Sequence, residues 1–395
     1  MTTSKKTLRA GIVGSRFAAS FHHHAIQRVH GVDVQLAGVF SPSKDSREAF
    51  AKARGLRPFE SLEALLAEVD VLHVCSNAFS HEAVGIAALE AGVHPIIEKP
   101  FTGAFGDGSP GFDGRAWPKE RALEQALASV ERLLAAERKS TARILYAENW
   151  VYAPAVQKER EILEKTGGQI LWMHGEESHS GSHSKAYGEW RLSGGGSLMG
   201  KGCHPLTAAL YLKRVEGRAR DGKPIRPAAV SARVHEVTRL KGFRDEGHLR
   251  TDYNDVEDFG FMHVVFEDGT VADIYSTELV MGGVHNWLEV CANNHRSLCN
   301  INPNTAMQSY NPREEAFRDI YVVEKIGTKQ GWACISPDED WFTGYYQEAQ
   351  AFYTDVAQRT APESDSGLGA DTISTIYSAY VSAERRGAEV AIKAC

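Results

Sequence analysis

Pro95-Ile96-Ile97-Glu98-Lys99-Pro100 is the stretch on which the fold turns. Two β-branched residues suit a buried strand, and Pro100 has no N–H with which to continue a ladder, so Glu98 and Lys99 fall at a strand's carboxyl end. In an open parallel sheet that edge faces the ligand crevice. A lysine placed there against an apolar ring loses hydration, which lowers the pKa of an ammonium, so Lys99 is expected to exchange protons near neutrality.

Upstream, Leu8–Gly14 reads as a first strand and Phe17–Val29 as the helix that follows. The turn between them, Gly14-Ser15-Arg16-Phe17-Ala18-Ala19, is a degenerate form of the glycine-rich dinucleotide turn: Gly14 holds the first place, Arg16 the second and Ala19 the third. Backbone N–H groups and the helix N-terminus would meet a pyrophosphate there, with the Arg16 cation folding over it. Gly14, Ser15, Arg16 and Phe17 are therefore cofactor candidates. A second strand, Val32–Phe40, ends in Ser41-Pro-Ser-Lys44, where an NAD-selective site keeps an acid for the ribose. Ser41 can bond a plain ribose and Lys44 can attract a 2′-phosphate, so NAD is expected with NADP left open.

Helices near 46–54 and 61–67 and the strand Val69–Cys75 lead into Ser76-Asn77-Ala-Phe-Ser-His81, at the same edge as Lys99. Ser76, Asn77, His81 and Glu98 join the cofactor candidates, with Asn149 at the crossover out of this region. The alternation of strand and helix over about a hundred residues predicts an α/β doubly wound sheet, a Rossmann dinucleotide-binding domain over residues 1–148. Thr102–Pro118, dense in glycine and proline yet carrying Phe105, Phe112 and Trp117, is expected to fold over the site, which makes Trp117 a substrate candidate.

Residues 149–395 read as an α+β domain with a large open, mainly antiparallel sheet: strands near 169–176, 229–238, 258–266, 271–277 and 286–291, a basic loop at 217–227, and amphipathic helices at 342–358 and 372–387 that pack back on the first domain. His179 and His183 sit in a Ser/Gly-rich loop that disfavours a helix, so they suit sugar hydroxyls better than a metal, and no metal site is expected.

The net charge of −7 argues against a nucleic-acid partner, and no apolar run reaches membrane-spanning length. Six cysteines without a Cys-x-x-Cys pair, and an amino terminus without a signal-peptide core, lead to the expectation of a cytoplasmic protein with reduced thiols.

Taken in order, Gly11-Ile-Val-Gly14, Ser76–His81, Glu98-Lys99-Pro100, Gly194-Gly-Gly-Ser-Leu-Met-Gly-Lys201-Gly-Cys-His204-Pro and Val256-Glu-Asp-Phe-Gly resemble the Gfo/Idh/MocA family of nicotinamide-dependent sugar and cyclitol oxidoreductases, over essentially the whole chain. The resemblance implies catalytic roles for Lys99 and His204, a sugar or polyol substrate, and dimers or tetramers. Oxidising a carbinol needs a group to take the hydroxyl proton while hydride leaves to the nicotinamide, which agrees. One departure stands out: many members carry an aspartate four residues before the histidine, and here that position is Gly200, followed by Lys201. Lys201, Glu148 or Tyr152 would then supply the proton chemistry, or the reaction is not simple alcohol oxidation. The alternative is a glycoside hydrolase that uses NAD transiently, through oxidation, elimination, water addition and re-reduction. Arg16, Lys185, Arg191 and Lys201 suggest anionic glycosides such as uronides or sulfosugar glycosides, with Arg191 a substrate candidate.

Overall fold

In the computed structural model, residues 7–302 and 307–393 are described; the amino-terminal Met1–Lys6 stretch and Cys395, both used above, lie outside them. The first six strands are β1 (Thr7–Val13), β2 (Asp33–Phe40), β3 (Arg57–Pro58), β4 (Val71–Val74), β5 (His94–Glu98) and β6 (Leu145–Ala147). They form one parallel sheet in the order β3-β2-β1-β4-β5-β6. The order reverses between β1 and β4, the switch point beside which such sheets bind ligands. Their apolar runs are buried on both faces because helices cover both, among them Phe17–Ile26, Lys44–Arg54, His81–Glu90 and Lys119–Lys139. Local chemistry sets the ends of these helices. Ser43 Oγ accepts the Ser46 N–H at 3.4 Å to start Lys44–Arg54, and Gly55 in the left-handed region (φ 65°) ends it.

The second sheet holds β7 (Ile170–Ser178), β8 (Pro227–His235), β9 (Phe259–Phe266), β10 (Val271–Thr277), β11 (His285–Ala292) and β12 (Arg296–Asn300), closed at one edge by the short β15 (Val390–Ala391). Its order is β12-β11-β7-β10-β9-β8-β15, and the β7–β10 pair is parallel while its neighbours run antiparallel. A separate hairpin-like pair joins β13 (Met307–Asn311) to β14 (Gly331–Ile335). The helix Cys203–Asp221 crosses this sheet against β7. Close approach is permitted by Gly175, where a Cβ would stand 2.8 Å from the Pro205 Cβ.

Several sequence expectations need correction. The basic segment from Gly217 is not all loop: the helix runs on to Asp221 and stops at Gly222, with Arg218 and Arg220 in its last turn. Gly217 is there because the returning chain passes so close that a Cβ would lie 2.4 Å from the Lys223 carbonyl oxygen. The helix expected at 342–358 is broken at Gly344 (φ 96°), whose missing Cβ would collide with the Asn149 carbonyl oxygen at 2.3 Å. The last helix is Ser366–Glu384, and it is not amphipathic. Every residue from Leu368 to Ser382 is buried, because the helix packs against Lys119–Lys139 on one side and β8 on another. Its hydroxyls turn inward on its own backbone, as in Thr375 Oγ1 to the Asp371 carbonyl oxygen (2.7 Å).

Candidate active site

A cavity of about 590 Å³ opens where the carboxyl ends of β4 and β5 meet the loop after β7. Arg16, Phe17, Ser76 and Asn77 line it from the first sheet's side, with Glu98 and Lys99 at its base. The turn before Phe17 fits a dinucleotide. Gly14 sits at φ 113°, and a Cβ there would lie 2.4 Å from the Cys75 carbonyl oxygen. The helix Phe17–Ile26 has no side-chain cap and no acid in its first turn, so its amino-terminal N–H groups are free to meet an anion. Arg16 is exposed at the cavity's rim.

At the cavity floor, Lys99 Nζ donates to the Gly200 carbonyl oxygen at 2.7 Å and lies 5.4 Å from the centre of the Tyr187 ring. Burial works against its charge, but Tyr187, Cys203, Glu177 and Glu98 around it more than offset that, and its pKa is raised. The sequence expectation of a lowered pKa is therefore reversed: Lys99 stays an ammonium, a hydrogen-bond donor with a fixed charge. His204 begins the helix Cys203–Asp221, and its ring stacks on Trp150 at 6.0 Å. Its Nδ1 bonds Glu148 Oε1 at 2.5 Å, and its Nε2 stands 3.8 Å from Glu177 Oε2. With the fully buried Glu148 carboxylate accepting from Nδ1–H, the Nε2 lone pair faces the cavity.

Behind Glu98 runs a polar seam. Glu98 Oε1 meets His22 Nε2 (2.8 Å), His22 Nδ1 meets His73 Nδ1 (2.7 Å), and His73 Nε2 meets Tyr353 Oη (2.8 Å), all four residues buried. Burial pushes the Glu98 carboxyl up, but His22, Lys99 and His81 outweigh it and hold it below its usual range. With Glu98 ionised, one orientation satisfies the seam: Tyr353 donates to His73, His73 to His22, and His22 to Glu98.

On the opposite wall, His179 is buried and its Nδ1 accepts the Gly181 N–H at 3.2 Å, so its own proton sits on Nε2. Burial first, then Lys201 and Lys325, lower its pKa and keep it neutral. Lys201 is also buried. It is paired with Glu278 and donates to Ser182 Oγ at 3.1 Å. Burial pushes Glu278 up, but the Lys201 ammonium and the bonds from Tyr253 and Ser182 dominate and hold it ionised. Lys201 is thus a neutralised wall of the cavity and no surface cap. His183 lies at the rim, 3.0 Å from Glu324 and with its ring 5.4 Å from Phe17.

Other expected site residues stand elsewhere. Tyr152 turns its hydroxyl to the Ser364 N–H (3.1 Å), away from the cavity, and cannot serve there as an acid or base. Asn149 uses its amide to hold the Thr343 carbonyl (2.8 Å) under the Gly344 turn, which removes it from the cofactor set. Arg191 is exposed and paired with Glu189 at 2.9 Å, so it is no substrate ligand in this geometry. Trp117 packs on Phe112 and Trp190, and Trp190 Nε1 holds the Ala104 carbonyl (2.9 Å). The 102–118 loop therefore braces the two halves and does not cover the cavity. Ser15 and Ser41 bond each other at 3.1 Å at the end of β2, beside the cavity walls, and Lys44 is exposed next to Glu48. His81 sits between the carbonyls of Ser76 (3.0 Å) and Pro100 (2.8 Å), donating its one N–H to either of them, a strut between the two loops that line the cavity.

Sequence reasoning missed Glu177 and Tyr187. Glu177 follows Gly175 on the same face of β7, a period-two signal that was available. Tyr187 explains the empty position 200: a Cβ on Gly200 would come 3.2 Å from the Tyr187 ring, which fills the space a carboxylate would need. Among the described residues, Glu148, Cys203 and His204 bring ligand-type atoms within 4.8 Å of one another, but the Glu148–His204 hydrogen bond already engages two of the three. No helix among the described residues is long and apolar enough to cross a membrane.

A parallel sheet in the 3-2-1-4-5-6 order, with a glycine cradle at its switch point and a lysine–histidine floor, defines a dinucleotide-binding protein with an attached second sheet. The chain belongs to the Gfo/Idh/MocA family: residues 8–109 match its oxidoreductase unit with the NAD-binding Rossmann fold, and residues 156–295 match its C-terminal domain. A UDP-N-acetylglucosamine 3-dehydrogenase of Acidithiobacillus ferrooxidans is 38% identical over 95 residues, which is 24% of this chain and 29% of that protein. The chain thus aligns with less than a third of that curated relative's length. Among solved structures, GenD2 from gentamicin A biosynthesis in complex with NAD superposes with a TM-score of 0.78 at 20% identity, over 100% of both chains. The myo-inositol 2-dehydrogenase of Lactobacillus plantarum gives 0.73 at 16% identity, covering 98% of this chain and 100% of that one. At these identities the structures establish the fold.

Proposed function

We propose that the protein is an NAD(P)-dependent oxidoreductase that moves hydride at a carbinol carbon of a sugar or cyclitol. The observation that carries this is the His204 ring, its Nδ1 held by buried Glu148 and its Nε2 turned to a cavity that Lys99 also enters. Nicotinamide, when bound at the β1–β4 edge, supplies the hydride acceptor. His204 Nε2 takes the hydroxyl proton as the carbonyl forms, and Glu148 stabilises the imidazolium. Lys99 keeps its ammonium near the oxygen, held on line by the Gly200 carbonyl, and stabilises developing negative charge there. In the reverse direction His204 returns the proton to the carbonyl oxygen, while the Lys99 ammonium again stabilises the charge that develops there. We take residues 1–148 as the cofactor unit and 149–395 as the substrate unit, with assembly into dimers or tetramers.

The test is a screen of inositols, free hexoses and aryl hexosides with NAD or NADP, read by the reduced-nicotinamide absorbance. Stoichiometric reduced cofactor with a free polyol supports the reading; none with any of them overturns it.

A second reading, redox-assisted glycoside hydrolysis, draws on Gly200: the usual carboxylate position is filled by Tyr187, so the acid and base groups of this cavity are differently arranged. In that case the cofactor is regenerated in each turn. Aglycone release from an aryl hexoside with catalytic NAD and no net NADH would favour it over plain dehydrogenation.

A further inference from the structure

Two acceptors face the cavity floor without a donor between them. Glu177 is only 8% exposed, and its Oε2 has no hydrogen-bond partner. It stands 3.8 Å from His204 Nε2, too far for a hydrogen bond. In the tautomer whose Nδ1–H bonds Glu148 at 2.5 Å, His204 offers Nε2 to the cavity as an acceptor. A buried carboxylate oxygen left unpaired is destabilising, so a partner is expected to arrive with the ligand.

The backbone holds this arrangement open on purpose-built geometry. Gly175 admits Pro205 to within 2.8 Å of where its Cβ would be, which draws the helix carrying His204 onto β7. Glu177 follows two residues later on the same face, so its carboxyl arrives beside the imidazole. Burial, with Glu148 beside it, raises its pKa, and His204, Lys99 and Lys201 oppose this without reversing it.

We propose that Glu177 is a specificity-determining residue that, together with His204, grips two neighbouring hydroxyls and so selects a vicinal diol. One hydroxyl carries one proton and satisfies one acceptor. Two adjacent hydroxyls, about a hydrogen-bond length apart, satisfy both acceptors across a gap of this size. The hydroxyl on His204 is the one oxidised: its O–H proton passes to Nε2, its C–H leaves as hydride to the nicotinamide, and the C=O bond forms. The hydroxyl on Glu177 donates a hydrogen bond and is unchanged. This rests on the oxidoreductase reading above.

The experiment compares wild type, Glu177→Ala and Glu177→Gln on inositols and methyl hexopyranosides, each diol paired with its analogue deoxygenated at the neighbouring carbon, with melting temperatures taken to check folding. Wild type is expected to prefer the diol by at least about 10²-fold in kcat/KM, because the deoxy analogue leaves the carboxylate unpaired. Glu177→Ala should lose most of that preference, falling on the diol and changing little on the deoxy analogue. Glu177→Gln, which keeps an acceptor oxygen, should recover part of it. Variants that match wild type in the diol-to-deoxy ratio overturn this assignment alone. A wild-type protein that reduces no cofactor with any member of the panel overturns the oxidoreductase reading, and this assignment with it.

Discussion

Lys99 places its ammonium 2.7 Å from the carbonyl oxygen of Gly200, so position 200 acts here through its backbone. A lysine anchored by a neutral carbonyl keeps its remaining N–H donors for the cavity, whereas a carboxylate would bind and partly quench the charge. Lys99→Ala and His204→Ala are each predicted to lower turnover by about 10²–10⁴ with the fold intact. Circular dichroism and steady-state kinetics check this, and wild-type turnover in either variant removes that residue from the chemistry.

The end of β2 yields a prediction on cofactor choice. Ser41, buried and tied to Ser15, stands at the end of β2 where an acid would repel a 2′-phosphate, and the exposed Lys44 is 3.8 Å from Glu48. NAD and NADP should bind with affinities closer together than an acidic residue would permit, and Ser41→Asp should shift the balance toward NAD by tenfold or more. Calorimetric titration with both dinucleotides decides the matter; outright exclusion of NADP by the wild type would contradict it.

Glu257 gives a pH prediction. Burial pushes its carboxyl up to about 7, although Tyr380 and the N–H groups of Gly196 and Leu198 bond it. A carboxyl whose folded pKa lies above its unfolded value makes the folded state bind more protons. Its stabilising contribution is full below the unfolded pKa and lost as pH rises toward 7, an effect of about 3 kcal/mol. Melting temperature should therefore fall between pH 5 and 8 more steeply in wild type than in Glu257→Gln, which keeps an acceptor but no charge. Parallel curves for the two proteins would show that Glu257 does not titrate in this way.

Trp117 is predicted to matter for stability only. It packs edge-on to Trp190 at 6.4 Å, outside the cavity lining. Trp117→Ala should cost about 2–4 kcal/mol in a denaturant titration while leaving relative activities across a substrate panel unchanged. A changed substrate ranking would return the loop to the site.

The first sheet could be read from residues because each strand was closed by a local signal: Pro100 after β5, Gly92 before it, and the turn at Gly14. Lys99 and the Gly14 turn were visible for the same reason, since motif and backbone coincide there, whereas His204 was singled out only by the family resemblance. Glu177 was lost by a single residue, because β7 was taken to end at Glu176 and the face of position 177 was never assigned. The 102–118 loop was misplaced because aromatic content reports burial without saying against what; here Trp190 is the answer. Ser366–Glu384 was misread because a helix buried on every side has no polar face to reveal its period. Tyr152 and Asn149 looked like site residues from their place in the chain, and only the fold shows them holding Ser364 and Thr343.

The seam from Glu98 through His22 and His73 ends at Tyr353, which is fully buried. A proton placed on Glu98 would have to push every bond in the row the other way, and the far hydroxyl belongs to a side chain closed off from the surface. The row is thus an insulator and not a wire.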